Sequence, residues 1–139
     1  MEKTLILIKP DAVSKGHCGE TIRRFEAAGF KIRGCKMARL SEELLREHYA
    51  HLLELPFFPE IESFMQSTPV IALALEGENA IVRIREMVGP TDSTKAPEGT
   101  IRGDLGENVM KNIVHASDST EAATIELKRF FNSDQLFDY

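Results

Sequence analysis

Asn112-Ile113-Val114-His115-Ala116-Ser117-Asp118-Ser119 is the stretch around which the chain is organised. Ile113 and Val114 read as the end of a short buried strand. Asp118, followed by Glu121, reads as a helix N-cap with its capping-box partner. His115 is therefore expected at the seam where a strand hands over to a helix. Side chains at such seams are often presented to a crevice beyond the strand ends. Position alone leaves two readings open: a functional imidazole, or a histidine that satisfies a local hydrogen bond.

The helix after Ser119 tips the balance. Its core stripe is Ala123, Leu127, Phe130 and Phe131, and Glu126 falls within that stripe. A carboxylate on the buried side of a helix is costly unless something pairs with it. His115 is an available partner. A carboxylate at one ring nitrogen fixes the tautomer and leaves the other nitrogen a free lone pair, which a nucleophilic imidazole needs.

Outward from this stretch, residues 89–111 are rich in Gly, Pro, Asp, Ser and Thr and have no clear periodicity. A structureless connection of that length usually has a job. It carries Thr91, Lys95 and Arg102. The glycines flanking Arg102 let backbone approach a ligand closely, although a solvated loop charge is the plain alternative. Before it, Glu78 to Val88 reads as a helix with Ile81, Ile84, Met87 and Val88 on its core side. Arg85 lies at the edge of that stripe, where a snorkelling surface arginine is the ordinary reading.

Leu5-Ile6-Leu7-Ile8 and Val70-Ile71-Ala72-Leu73-Ala74-Leu75 are apolar at every position, as strands buried on both faces are. The first ends at Lys9-Pro10-Asp11, because proline donates nothing to a ladder. Lys9 is thus a cation at the mouth of a central strand, or simply a solvated end residue. Gly19 to Ala28 reads as a helix stopped at Gly29, and Phe30 to Leu40 as a strand kinked at Gly34. Ser41 caps a helix running to about Leu55. Pro56-Phe57-Phe58-Pro59 then holds two aromatics stiffly before a short helix, Ile61 to Gln66. Core packing is the ordinary reading for one of them; an exposed one could stack on any nucleobase.

The order is strand, helix, strand, two helices, strand, helix, long loop, strand, helix. It predicts an α+β fold: a ferredoxin-like α/β sandwich whose four-stranded antiparallel sheet is covered by helices, with an insertion loop at about 89–111. The 139 residues suit a single domain over 1–139. A net charge of −5 argues against a general nucleic-acid binder. Met1-Glu2-Lys3 runs straight into an apolar strand, no apolar run approaches the roughly 20 residues of a membrane span, and Cys18 and Cys35 lack metal-ligand spacing. A reduced, cytoplasmic enzyme is the expectation. The G-x-x-x-x-G-K-[ST] and G-x-G-x-x-G loops are both absent. If a nucleotide binds, Lys9, Arg85, Arg102 and Thr91 are left to grip its phosphates. With a histidine nucleophile, the implied chemistry is ping-pong transfer through a phosphohistidine.

Five motifs carry a resemblance. They are Ile8-Lys9-Pro10-Asp11, His48-Tyr49, Pro56-Phe57-Phe58-Pro59, Gly99-Thr100-Ile101-Arg102-Gly103 and the opening stretch. In this order and at these separations the chain resembles a nucleoside diphosphate kinase from end to end. The resemblance implies that His115 takes the γ-phosphoryl group of a nucleoside triphosphate (ATP, GTP or another) and passes it to a diphosphate, maintaining triphosphate pools. Glu126 would orient His115, with Tyr49 and Ser117 supporting the same centre. Arg85, Thr91 and Arg102 would hold the phosphates, and Lys9 and Asn112 the ribose and nearby phosphates. Phe57 would stack on the base, with Ile61 and Val109 lining the slot. Asp118 would reach Mg²⁺ through water, the metal being held mainly by the phosphates. Family members assemble as hexamers or tetramers, so a homo-oligomer is implied.

Departures are Ala116, where glycine commonly follows the nucleophile, Ser93, where proline is common, and an end at Tyr139 without the longer tail of some members. The alternative is a catalytically silent nucleotide- or RNA-binding regulatory module on the same fold. The acidic balance, the lack of an RNP1-type aromatic pattern and the retained histidine argue against it.

Overall fold

The computed structural model describes all 139 residues. Strand β1 (Glu2–Ile8) is central, and Leu5 to Ile8 are wholly buried. It pairs antiparallel along its whole length with β3 (Val70–Gly77), and on its other edge with the short β4 (Val114–Ala116). Strand β2 (Lys31–Ala38) pairs antiparallel with the far edge of β3. The order β2-β3-β1-β4 is that of the expected ferredoxin-like sheet.

Alternation along the strands sorts the core into two layers. Ile6, Ile8, Leu73, Leu75, Val114 and Ala116 face helices α2 (Cys18–Ala27) and α5 (Ala80–Val88). Leu5, Leu7, Ala72 and Ala74 face α3 (Glu42–His48), α4 (Phe58–Met65) and α7 (Thr120–Phe130). His115 is opposite Leu7 in the ladder. It therefore points to the second layer, where α7 carries Glu126.

Several boundaries differ from the sequence expectation. Pro10 does more than end β1: it begins α1 (Pro10–Lys15), at a helix position where a missing N–H is harmless and φ is pre-set. Ser41 caps α3 as expected, its hydroxyl accepting from Leu44 N at 3.1 Å. The helix stops at His48 rather than near Leu55, and a 3₁₀ turn at Ala50–Leu52 follows. The 89–111 segment is not structureless. It holds a 3₁₀ turn at Ser93–Lys95 and a capped helix, α6 (Ile101–Leu105). The kink at Gly34 is a register shift between Ile32 and Gly34. A Cβ at Gly34 would lie 3.0 Å from the Leu136 and Phe131 side chains, so glycine lets the C-terminal segment cross β2 closely.

The cap of α7 is Ser119, not Asp118. Its hydroxyl accepts from Ala122 N at 3.0 Å, so no capping box forms between Asp118 and Glu121. The reason is that β4 runs on to Ala116, leaving Asp118 exposed in the crossing loop. His115 is accordingly the middle residue of a strand rather than the residue beyond one. No helix is long and apolar enough to cross a membrane.

Candidate active site

The approach to His115 is strained. Ile113 sits at φ 76°, and Val114 N donates to Asn112 O across it at 2.9 Å, which makes a γ-turn of the rare positive-φ kind. For a β-branched residue this costs about 1–3 kcal/mol and survives only where the surroundings over-determine it. They do so here. Ile113 N donates to the buried Asp11 carboxylate at 3.0 Å, and Ile113 O accepts from Lys9 N at 2.8 Å. Just beyond the turn, His115 lines a cleft of about 520 Å³.

Within the cleft, His115 Nε2 lies 2.7 Å from Glu126 Oε1. A carboxylate only accepts, so Nε2 carries a proton, and in the neutral ring the lone pair is then on Nδ1. Nδ1 has no hydrogen-bond partner of its own. The Ser117 hydroxyl donates to the same Glu126 oxygen at 2.8 Å and accepts from Leu5 N at 3.3 Å. Ser117 is fully buried and does not line the cleft, and its link to His115 runs through Glu126. Burial pushes the Glu126 carboxyl up. The hydrogen bonds that His115 and Ser117 donate to it more than reverse this and hold it below the ordinary carboxylate range. Tyr49 is pushed up to about 12, by burial and then by the Glu126 charge, and so stays a neutral phenol in the cleft wall.

Three cations converge on the cleft from different elements. Arg102, buried on α6, donates to Asn112 O at 3.1 Å, Gly89 O at 3.0 Å and Val114 O at 2.7 Å. One N–H remains on each of its terminal nitrogens. Arg85, on α5, donates to Ala116 O at 3.3 Å. The two guanidinium groups thus bond the residues before and after His115. Lys9 donates at 2.7 Å to both Met110 O and Asn112 Oδ1, and Asn112 in turn donates to Thr91 O at 3.0 Å. Burial, then the neighbouring Arg85, lowers Arg102 to about 10. Burial, with Asp11 opposing and Arg102 adding, lowers Lys9 to about 8. Positive charge crowded and desolvated in this way, inside an acidic chain, is the electrostatics of an anion site.

The rim is apolar. Phe57 is 48 % exposed while Phe58 is 3 % exposed, so of the two aromatics one packs and the other faces the cleft. Ile61 and the exposed Val109 share the lining with Phe57, and Asp118 lies on the same cleft near His115. Every residue to which the family resemblance gives a role, apart from Ser117, therefore lines one cavity, whereas Lys95 lies outside it. Ala116 keeps an ordinary negative φ and its methyl packs in the core, so this position has no need of glycine.

Sequence reasoning assigned no role to His48 or Arg129. His48 is buried with its ring perpendicular to that of His115, and Arg129 bonds it. The His48-Tyr49 pair was visible as a motif, but helical spacing from α3 says nothing of what α7 packs against it. Met110, whose carbonyl holds Lys9, was likewise hidden, since backbone acceptors leave no trace in composition.

A family model described as nucleoside diphosphate kinase matches residues 2–136. A nucleoside diphosphate kinase of Parabacteroides distasonis is 52 % identical over all of this chain and 91 % of its own length. That of Staphylothermus marinus is 49 % identical, covering 99 % of this chain and 98 % of the relative. Among solved structures, the Aquifex aeolicus nucleoside diphosphate kinase superposes with a TM-score of 0.93 at 45 % identity, over 98 % of this chain and 99 % of that one. A Halobacterium salinarum nucleoside diphosphate kinase in complex with CDP superposes at 0.96 and 41 % identity, over 99 % and 92 %. The chain belongs to the nucleoside diphosphate kinase family, and its chemistry is transfer of a phosphoryl group between nucleotides.

Proposed function

We propose that His115 Nδ1 is the nucleophile and that transfer is ping-pong. The nitrogen lone pair forms a bond to the γ-phosphorus of a nucleoside triphosphate, the bond to the bridging oxygen breaks, and the diphosphate leaves with those electrons. A second diphosphate then attacks the phosphohistidine through a β-phosphate oxygen and frees the ring. The supporting observation is the ring held at Nε2 by Glu126 with Nδ1 unpartnered in the cleft. Glu126 also offsets the positive charge that the ring gains on attack, and Ser117 holds Glu126. Arg85, Arg102 and Thr91 take the phosphates, with Tyr49 bordering the centre. Lys9 and Asn112 take the ribose and the phosphates near it, and Phe57, Ile61 and Val109 hold the base. Incubation with γ-labelled ATP alone tests this reading. The protein should acquire an acid-labile, base-stable label before any acceptor is added; transfer that requires both nucleotides together would rule the scheme out.

Mg²⁺ fits as a companion of the substrate. No group of three or more His, Cys, Asp or Glu residues forms a cage, while the exposed Asp118 stands at the cleft. Bound with the nucleotide, it would neutralise charge on the phosphate oxygens, and Asp118 would meet its water shell. Residues 1–139 are read as one domain, acting in the cytoplasm, where the free thiols Cys18 and Cys35 would stay reduced, and assembled as a homo-oligomer, hexamer or tetramer, as the family likeness implies.

Two outcomes follow for the binding groups. Phe57→Ala should weaken ATP, GTP, CTP and UTP by a similar factor, roughly tenfold, because stacking is indifferent to base identity. Loss confined to purines, in equilibrium titrations, would show that the slot reads more than a flat face. Lys9, at about 8, is partly neutral in the free protein near pH 8.5. A phosphate anion beside it favours the charged form, so binding should take up protons at pH ~8.5, where the nucleotide phosphates are already fully ionised. Calorimetry in buffers of different ionisation enthalpy reads this directly.

A further inference from the structure

We propose that His48 and Arg129 act as one positioning unit for His115, a neutral ring locked by a guanidinium that fixes the plane of the nucleophile. The proposal rests on the reading of His115 as that nucleophile.

Glu126 grips His115 at a single atom, Nε2, 2.7 Å away. A ring held at one atom can still swing about that bond, and the swing would carry Nδ1 off the line of attack. The swing is stopped by His48. Its ring stands at 83° to that of His115 with centroids 4.7 Å apart. His48 is itself boxed in, perpendicular to Phe130 at 5.2 Å and edge-on to Tyr49 at 4.8 Å.

His48 Nδ1 lies 2.9 Å from Arg129 Nη1. Arginine only donates, so Nδ1 must be the lone-pair nitrogen and the ring must be neutral with its proton on Nε2. A charged ring here would repel the positive charge that His115 gains on attack. Burial first, then His115, with Arg129 and His51 adding and Glu126 opposing, brings His48 down to about 3. Arg129 is mostly buried, with Nε 3.4 Å from Glu47 Oε1. It follows Glu126 by three residues on α7, so one helix face supplies both the carboxylate that holds Nε2 and the guanidinium that holds the ring packed against it.

The test is single-turnover phosphorylation at saturating ATP, with the ATP dissociation constant measured alongside. Arg129→Met removes the donor and keeps the stem. His48→Asn keeps an acceptor near the Nδ1 position and loses the ring. Each should slow phosphorylation by roughly tenfold to a hundredfold, since small misplacements of a reacting atom cost that much, with ATP affinity within about twofold. Because the pair acts as a unit, the double variant should be no slower than the slower single one. Losses that multiply, or weakened ATP binding at an unchanged rate, overturn the proposal. Should a variant fail to fold, the ¹⁵N spectrum of the unaltered protein decides. His48 should show the neutral Nε2–H pattern down to pH ~5, and protonation near pH ~6 overturns the lock. Absence of any label on the unaltered protein would sink the nucleophile reading and this proposal with it; normal labelling at normal rates in the variants sinks this proposal alone.

Discussion

His115→Ala is expected to bind nucleotide and take no phosphate. Transfer from ATP should fall by at least about three orders of magnitude, because no neighbouring group replaces the lost nucleophile. Arg85, Arg102, Lys9 and Phe57 stay in place, so ADP affinity should remain within about threefold. A second consequence is thermodynamic. In the intact protein the Glu126 carboxyl lies below its ordinary value of 4.5, because His115 and Ser117 outweigh burial. A carboxylate lowered on folding adds stability above its unfolded pKa and loses it as pH falls through the folded one. Without His115, burial is opposed by the Ser117 hydrogen bond alone and the folded pKa rises. The variant should therefore lose stability at a higher pH than the intact protein, read as a shift of the acid-unfolding midpoint. Label retained in the variant would place the nucleophile elsewhere. An unshifted acid midpoint would mean that the His115 bond contributes little to holding Glu126 ionised.

Arg102→Met is expected to damage fold and chemistry together. The guanidinium joins the start of the 89–111 segment, at Gly89 O, to its end, at Asn112 O, and to β4, at Val114 O. Removing it strips three carbonyls of a charged donor. Asn112 O keeps Val114 N as a donor, so Gly89 O and Val114 O are the two that lose their partner; at about 1–3 kcal/mol each, within one network, the loss should come to roughly 2–4 kcal/mol. Transfer should drop by about 10²–10³ through lost stabilisation of the phosphoryl charge. Arg102→Lys separates the two effects. It restores a charge but not the three-way fork, so it should recover part of the transfer rate and little of the stability. Urea midpoints with single-turnover rates report both; an unchanged midpoint in Arg102→Met would mean that the carbonyl bonds hold nothing together.

The sheet was legible where burial is two-sided. Runs such as Leu5 to Ile8 have one good structural interpretation, and the structure places them at the centre. The Glu126–His115 contact was legible for a related reason: a carboxylate in an apolar stripe must find a partner, and few are within reach. Boundaries were harder. Asp118 and Ser119 are both good caps, and the choice between them depends on how far β4 pairs with β1, which is a property of the ladder. The same holds for Pro10, which stops a strand and starts a helix in one step.

Residue types and their spacing by themselves determined the fold class, the motif set, the nucleophile candidate and its carboxylate, because apolar periodicity and unpaired charge are properties of the chain. Packing settles the rest: Phe57 and not Phe58 faces the cleft, Arg102 spends three of its N–H groups on backbone, and His48 stands against His115 under Arg129. Each of these depends on which elements meet, and a backbone carbonyl or a neighbouring ring exerts its force only once packing brings it within a few ångströms.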